Sequence, residues 1–354
     1  MRFIGNKENL VEKIYQIMNE KKISGKSFFD VFTGTTSVAQ FFKKKGYKVI
    51  TSDLLYFSYV LQQAYIVNNT EPQFNKLLKN LNYKSERLLS TPLSEVIDYL
   101  NKIPGVEGFI YKNYTPEGTK NLNQPRQYFI GENGKKIDAI RQQIEEWYIK
   151  KLITQEEYYI LIACLIETVP FYANITGVYA AFQKQWDPRA IKSIILREIP
   201  IIINKEDNQA YNRNSVELAE EIQADIFYLD PPYNQRQYAP NYHLLETIAK
   251  YDSPVIKGVS GLRDYTDQKS AFCNAKTGIR ELEKIVSNAR CNYLLLSYNS
   301  EGIMPNEKIL NMMHKYGKVE LEEFHYLRFK SNNNGDSKYK KHIQEQLYIL
   351  DKLT

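Results

Sequence analysis

The amino-acid sequence predicts an α/β fold: a mostly parallel sheet, interrupted by a helical insertion and closed by an antiparallel hairpin near the C-terminus. Three observations predict it. Residues 27–69 read as strand, helix, strand, helix, a spacing that calls for parallel strands joined by right-handed helical crossovers. From about Thr70 to Pro200 the strand pattern lapses, and helical segments alternate with Gly-, Pro- and Asn-rich connectors. The sheet pattern resumes at "ADIFYLD" and ends on two strands joined by a polar loop.

Each element has its own signal. "SFFDVF" is a short apolar run, and "TTSVAQFFKKKG" opens on hydroxyl caps and closes on glycine, as a helix does. "YKVITSD" is a β-branched strand, and "LLYFSYVLQQAYIV" a long helix. In the insertion, Leu93 to Asn101, Lys136 to Lys150 and Gln155 to Thr168 read as helices. After it come the strand "ADIFYLD", the helix "NYHLLETIAKY", one longer helix over 271–290, and the buried strand "CNYLLLSYN". A helix from Asn306 to Lys315, strand signal in "VELEEFHYLRFK", the loop "SNNNGDSKYKKH" and the strand "EQLYIL" complete the chain. The expected division is a sheet domain of residues 1–69 and 201–354, with 70–200 as the helical insertion.

Composition narrows the class. The 354 residues, 43% hydrophobic and 25% charged, suit a soluble globular protein of one large domain with an insertion, or of two domains. Arg2, Lys7 and Glu8 crowd any apolar core of a signal peptide. The apolar run Tyr158 to Ile166 stops at Glu167, too short to span a bilayer. Cys164, Cys273 and Cys291 are scattered, giving neither a metal-ligand pair nor an even disulfide set, so we expect no metal and a reducing cytoplasm. A net charge of +6 permits a polyanionic partner without requiring one. The 28 tyrosines are first of all packing residues, although aromatics mixed with Lys and Arg also suit stacking on bases.

Two strand ends carry chemistry. In "DVFTGTTS" (Asp30 to Ser37), small residues between a strand and a helix leave backbone N–H groups available to a ligand. Asp53 closes the next strand, about 20 residues on, where an acid binds the ribose hydroxyls of a nucleotide-like ligand or caps the following helix. The corner Asp230-Pro231-Pro232-Tyr233 is more specific, because two prolines after a buried strand are costly unless the corner has a use. A planar amino group becomes nucleophilic when two acceptors take its hydrogens. The Asp230 carboxylate supplies one and a backbone carbonyl, naturally that of Pro231, the other. Tyr233 offers a face for the ring.

These residues carry a resemblance. The chain resembles the Dam-related α class of N6-adenine DNA methyltransferases of type II restriction-modification systems, in motif order and over nearly its whole length. "RFIGNKENL" is similar to that family's opening, which implies Phe3 and Lys7 near the cofactor. "DVFTGTTS" resembles its acidic-Pro-Phe-x-Gly-x-Gly-Ser loop, placing Asp30, Phe32 and Gly34 at the cofactor; Val31 and Thr36 depart from the pattern. Asp53 falls at the ribose-binding carboxylate, "DPPYNQRQY" at the catalytic corner, and "LLLSYN" at a strand whose Ser-Tyr-Asn lies beside the target pocket. The resemblance implies a Rossmann-like fold, a target-recognition role for the insertion, S-adenosylmethionine as cofactor and S-adenosylhomocysteine as product. It also implies Asp230 at both cofactor and target, and flipping of an adenine from double-stranded DNA. A cognate restriction endonuclease and a second methyltransferase are implied as functional partners.

Competing chemistries leave different marks. A cytosine C5 methylase needs a Pro-Cys nucleophile, and none of the three cysteines follows a proline. Two alternatives stay open at this point: an RNA adenine N6-methyltransferase and a catalytically weak DNA-binding relative. For the polyanion, Arg236, Gln237 and Tyr238 follow the catalytic corner directly. The segment Lys330 to Lys341, with Lys338 within it and Arg328 beside it, has four lysines against one aspartate. Both are expected to touch DNA.

Overall fold

Helix α1 (Val11–Glu20) buries Val11, Ile14, Ile17 and Met18 along one face, the stripe of an amphipathic helix. β1 (Ser27–Asp30), α2 (Ser37–Lys44), β2 (Lys48–Ser52) and α3 (Tyr56–Gln62) follow as the expected alternation. The long helix expected after β2 is interrupted: α3 gives way to a π-type turn over Gln63–Val67. The structure is a computed structural model that describes residues 7–81, 90–327 and 342–352, with side-chain surroundings left undescribed over 325–343. The site candidates Phe3, Arg328, Lys330 and Lys338 fall outside the described residues.

Helices α4 (Asn75–Leu81), α5 (Pro92–Lys102), α6 (Phe109–Tyr114), α7 (Gly131–Ile149) and α8 (Gln155–Thr168) come next. Capping boxes start two of them: Thr91 with Ser94 at α5, and Thr154 with Glu157 at α8. Helix α7 begins earlier than its periodicity suggests. Its first turns contain Gly131 and Gly134, and a Cβ at Gly134 would lie only 2.5 Å from Thr115 Cγ2. Glycine there permits a close approach that an apolar pattern does not advertise.

The chain then forms β3 (Gln209–Tyr211), α9 (Ser215–Glu221), β4 (Ile226–Leu229), α10 (Tyr238–Lys250) and the short pair β5 (Ile256–Lys257) and β6 (Leu262–Arg263). α11 (Ala275–Asn288), β7 (Tyr293–Asn299), α12 (Asn306–Met313), β8 (Gly317–Leu327) and β9 (His342–Lys352) complete it. The single helix expected over 271–290 is broken at its start. A 3-10 turn covers Ala271–Cys273, and Asn274 then caps α11 by accepting from the backbone of Lys276 and Thr277.

Seven strands form the main sheet in the order β3-β2-β1-β4-β7-β9-β8, and β5 and β6 pair separately. β1, β2, β3, β4 and β7 pair in parallel, whereas β9 runs antiparallel to both β7 and β8. β4 is buried at all four positions, the uniform apolar signature of a strand covered on both faces. Two compact units emerge. One contains residues 3–62, 202–238 and 266–354, with the main sheet; the other contains 1–2, 63–201 and 239–265. Residues 239–265 thus group with the helical unit, although the sequence expectation set them with the sheet. Arg141 of α7 donates to the carbonyls of Ile248 and Ala249 at 3.1 and 3.3 Å and ties α10 there.

Candidate active site

Asp30 ends β1, Asp53 follows β2 and Asp230 follows β4, so three acids stand at the carboxyl ends of parallel strands. β1 and β4 are neighbours in register, with Asp30 opposite Tyr228. Strand order runs from β1 outward to β3 on one side and from β4 outward on the other. At such a switch point a crevice opens beyond the strand ends. Lys7, Asp30, Phe32, Gly34, Asp53, Asp230, Pro232 and Tyr238 all line the pocket there.

The loop after β1 is held by its own backbone. Val31 N–H donates to Tyr228 O at 3.0 Å, and the Val31 carbonyl accepts the Ser52 and Ser215 hydroxyls at 2.7 Å each. Gly34 and Thr36 both have left-handed backbones, with φ of 53° and 66°. Thr36 stands where the resembled pattern has glycine, and it keeps the conformation that glycine favours. Its N–H donates to Thr33 O at 2.9 Å, and Gln40 donates to its hydroxyl at 2.8 Å. Asp53 spans the same loop: Oδ2 accepts Gly34 N–H at 2.9 Å and Oδ1 accepts Leu55 N–H at 2.8 Å.

Electrostatics concentrate on Asp230. Lys7 Nζ lies 3.3 Å from Asp230 Oδ1 and also pairs with Glu345, whose Oε1 accepts the Ser297 hydroxyl at 2.7 Å. Burial raises the Asp230 carboxyl; Lys7 opposes that rise and Glu345 adds to it, leaving the group at about 7. Burial also lifts Asp30 well above the carboxylate range, reinforced by Asp230 and Asp53. One oxygen of Asp30, Oδ1, is buried with no hydrogen-bond partner. Burial alone would lower Lys7, but Asp230 and Glu345 hold it above the ordinary lysine value. Strongly perturbed acids gathered in one cleft mark a candidate functional site.

The remaining candidates divide. Pro231 is buried, and the half-buried Tyr233 packs in part against the hydrophobic core while its carbonyl accepts Ile303 N–H at 3.0 Å. Arg236 is exposed. The amide of Gln237 bonds both ways with the backbone of Ser270, at 2.7 and 3.0 Å, which ties that side chain to a residue of the pocket wall. Sequence reasoning missed Phe272, edge-on to Phe32 with ring centroids 5.0 Å apart, and Asn214, the cap of α9. It also missed Glu345. The Asn-x-cap pattern at Asn214 was available as a signal; nothing local marks Phe272 or Glu345. Among the described residues, no group of three or more His, Cys, Asp or Glu is placed to hold a metal ion, and no helix is long and apolar enough to cross a membrane.

A mostly parallel sheet with a glycine loop after its first strand and acids at the switch point is that of a Rossmann-like methyltransferase. The model for D12 class N6 adenine-specific DNA methyltransferases matches residues 3–312, and the chain belongs to that family. It is similar to modification methylase StsI of Streptococcus sanguinis, with 35% identity over 99% of this chain and 52% of that protein. It is 37% identical to type II methyltransferase M.FokI of Planomicrobium okeanokoites, over 99% of this chain and 53% of the relative. The chain therefore spans about half the length of these two relatives. With type II methyltransferase M.NlaIII of Neisseria lactamica it shares 36% identity over 99% of both chains.

Proposed function

We propose that this protein transfers a methyl group from S-adenosylmethionine to the N6 amino group of an adenine in double-stranded DNA, as the modification enzyme of a type II restriction-modification system. The observation that carries the reading is the Asp230 carboxylate, set beyond β4 in the pocket that Asp30 and Asp53 also line. The residues fit the cofactor. The pocket gathers acids around one lysine, and the unpartnered Asp30 Oδ1 suits a ligand ammonium. When bound, the cofactor supplies an electrophilic methyl on a sulfonium.

The chain's own groups supply the rest. Asp53 accepts the ribose hydroxyls beside the Gly34 and Leu55 N–H groups that its two oxygens also hold. Phe32, braced by Phe272, walls the pocket. Asp230 and the Pro231 carbonyl take the two hydrogens of the adenine amino group, which frees the nitrogen lone pair for the methyl. The proton that N6 then sheds passes to Asp230, whose raised proton affinity matches the task at neutral pH. Tyr233 stacks on the extruded base. Arg236 and Tyr238, with Arg328, Lys330 and Lys338, contact the DNA; Gln237 acts through Ser270 rather than on a base. The helical unit reads the target sequence. The expected domain division becomes one of roles, with recognition extending to residues 239–265.

The test is direct. Purified protein and cofactor are incubated with duplex DNA and, separately, with RNA of the same sequence, and modified bases are located by sequencing. N6-methyladenine at one recurring DNA site is expected. Its absence from DNA, or its appearance in RNA alone, overturns the reading.

A further inference from the structure

Glu345 is a carboxylate where a carboxylate is costly. It sits at 3% exposure near the start of β9, in a run that is buried from Glu345 to Leu350. An ionised group in such a place persists only when paired and hydrogen-bonded. Glu345 has both partners, the Lys7 ammonium and the Ser297 hydroxyl, the latter at 2.7 Å. Lys7 is itself 6% exposed, and its other carboxylate is Asp230, at 3.3 Å. Ser297, Glu345, Lys7 and Asp230 therefore form one continuous polar chain.

The topology explains why these four meet. β9 runs antiparallel to β7, so its early residues lie where the parallel strands end, and Glu345 pairs with Asn299 across the ladder. We propose that Glu345 is a positioning residue for methyl transfer: it holds Lys7 against Asp230 and keeps a second negative charge beside the reacting carboxylate. This rests on the function proposed above.

A structural support and a charge beside the reaction differ in one observable. The charged and titratable groups facing Asp230 are Lys7 from the N-terminal segment, Asp30 of β1, Tyr228 of β4 and Glu345 of β9. Lys7 is shared between Asp230 and Glu345. Removing the charge of Glu345 removes a repulsion on Asp230 and leaves Lys7 to Asp230 alone. Both effects make Asp230 ionise at lower pH, while loss of the Lys7 anchor slows the reaction.

The experiment is a pH profile of single-turnover methyl transfer to duplex DNA for the wild type, Glu345→Gln and Glu345→Asp. In Glu345→Gln the acid limb should move to lower pH by about one pH unit, with the plateau reduced roughly tenfold. Glu345→Asp, which keeps the charge, should return the limb towards its wild-type position. A Glu345→Gln profile lowered equally at every pH, its limb unmoved, overturns the proposal. Should Glu345→Gln not fold, the wild type still decides. The carboxyl carbon of Asp230, assigned by its disappearance in Asp230→Asn, is followed by NMR through the pH range. Titration near neutrality is expected, and titration in the ordinary carboxylate range overturns the proposal. The two readings fail separately. A wild type that leaves adenine unmodified sinks the proposed reaction, whereas the carboxyl titration needs no substrate.

Discussion

The two units treat their buried acids differently. In the helical unit, Arg126, Arg141 and Asp138 are well supplied with partners, while Arg263 keeps a buried Nε without one. Arg126 donates to the carbonyls of Asn113, Gly258 and Val259, each at 3.0 Å. Arg141 reaches Glu145, the Tyr158 hydroxyl and the carbonyls of Ile248 and Ala249. Asp138 accepts the N–H groups of Ile110 and Tyr111 and the Tyr251 hydroxyl. In the sheet unit, Asp30 keeps a buried oxygen without a partner, and three acids gather at one edge. Saturated charges hold a fold together; undersatisfied ones store the capacity to bind or react. Among the buried acids, the contrast follows the division between scaffold and candidate site.

The largest effect should come from Asp230→Ala. If its carboxylate performs acid–base work, methyl transfer falls by about 10²–10⁴-fold. The melting temperature should change little, since burial penalises the Asp230 charge and Lys7 keeps Glu345 as a partner. DNA affinity should stay within a few-fold. Substantial residual activity in a rapid-quench assay would break the contrast on the sheet side.

Arg141→Met tests the other side. It leaves the carbonyls of Ile248 and Ala249 and the Tyr158 hydroxyl without their donor, a loss of about 3 kcal/mol in stability by denaturant unfolding. Activity per folded molecule should be unchanged at low temperature. A catalytic defect without a stability defect would mean that saturation is no guide to role.

Asp53→Ala should weaken binding of S-adenosylhomocysteine by about ten- to a hundred-fold, the worth of one or two hydrogen bonds to a charged group, as read by titration calorimetry. Equal affinity in the variant would reduce Asp53 to a brace for the Gly34 loop.

The smallest change is expected at Thr36→Gly. Relief of a left-handed threonine is worth about 1–2 kcal/mol, offset by the entropy of glycine and the lost bond from Gln40. Calorimetry should show a melting temperature within about two degrees of wild type. A marked loss would show that the threonine hydroxyl, not the backbone angle, shapes the loop.

Much of the candidate site was legible because its parts are local. Asp30, Asp53 and the Asp230 corner each announce themselves within a few residues, by an apolar strand that stops on an acid. The parallel order of the sheet was equally readable from strand–helix alternation. Other features left weaker marks. β3 is three half-buried residues, "QAY", with no apolar run to betray it. The break before α11 was written in Asn274, a good helix cap, but a cap inside an otherwise helical stretch reads as tolerated polarity. α10 reads as a helix of the sheet domain; Arg141, far away in sequence, donates to the carbonyls of Ile248 and Ala249 near its end.

By itself, then, the chain's order of residues determined which strands would be buried, where each would stop and which acids would stand at the stops, because those are consequences of local hydrophobicity and backbone chemistry. Only the tertiary structure decided how the acids would be charged. Glu345 on β9 and Asp230 after β4 meet at Lys7, before α1, through a long-range assembly that no local pattern encodes. The proton affinity of a carboxylate depends on burial and on charges within a few ångströms, and those are properties of the assembled fold.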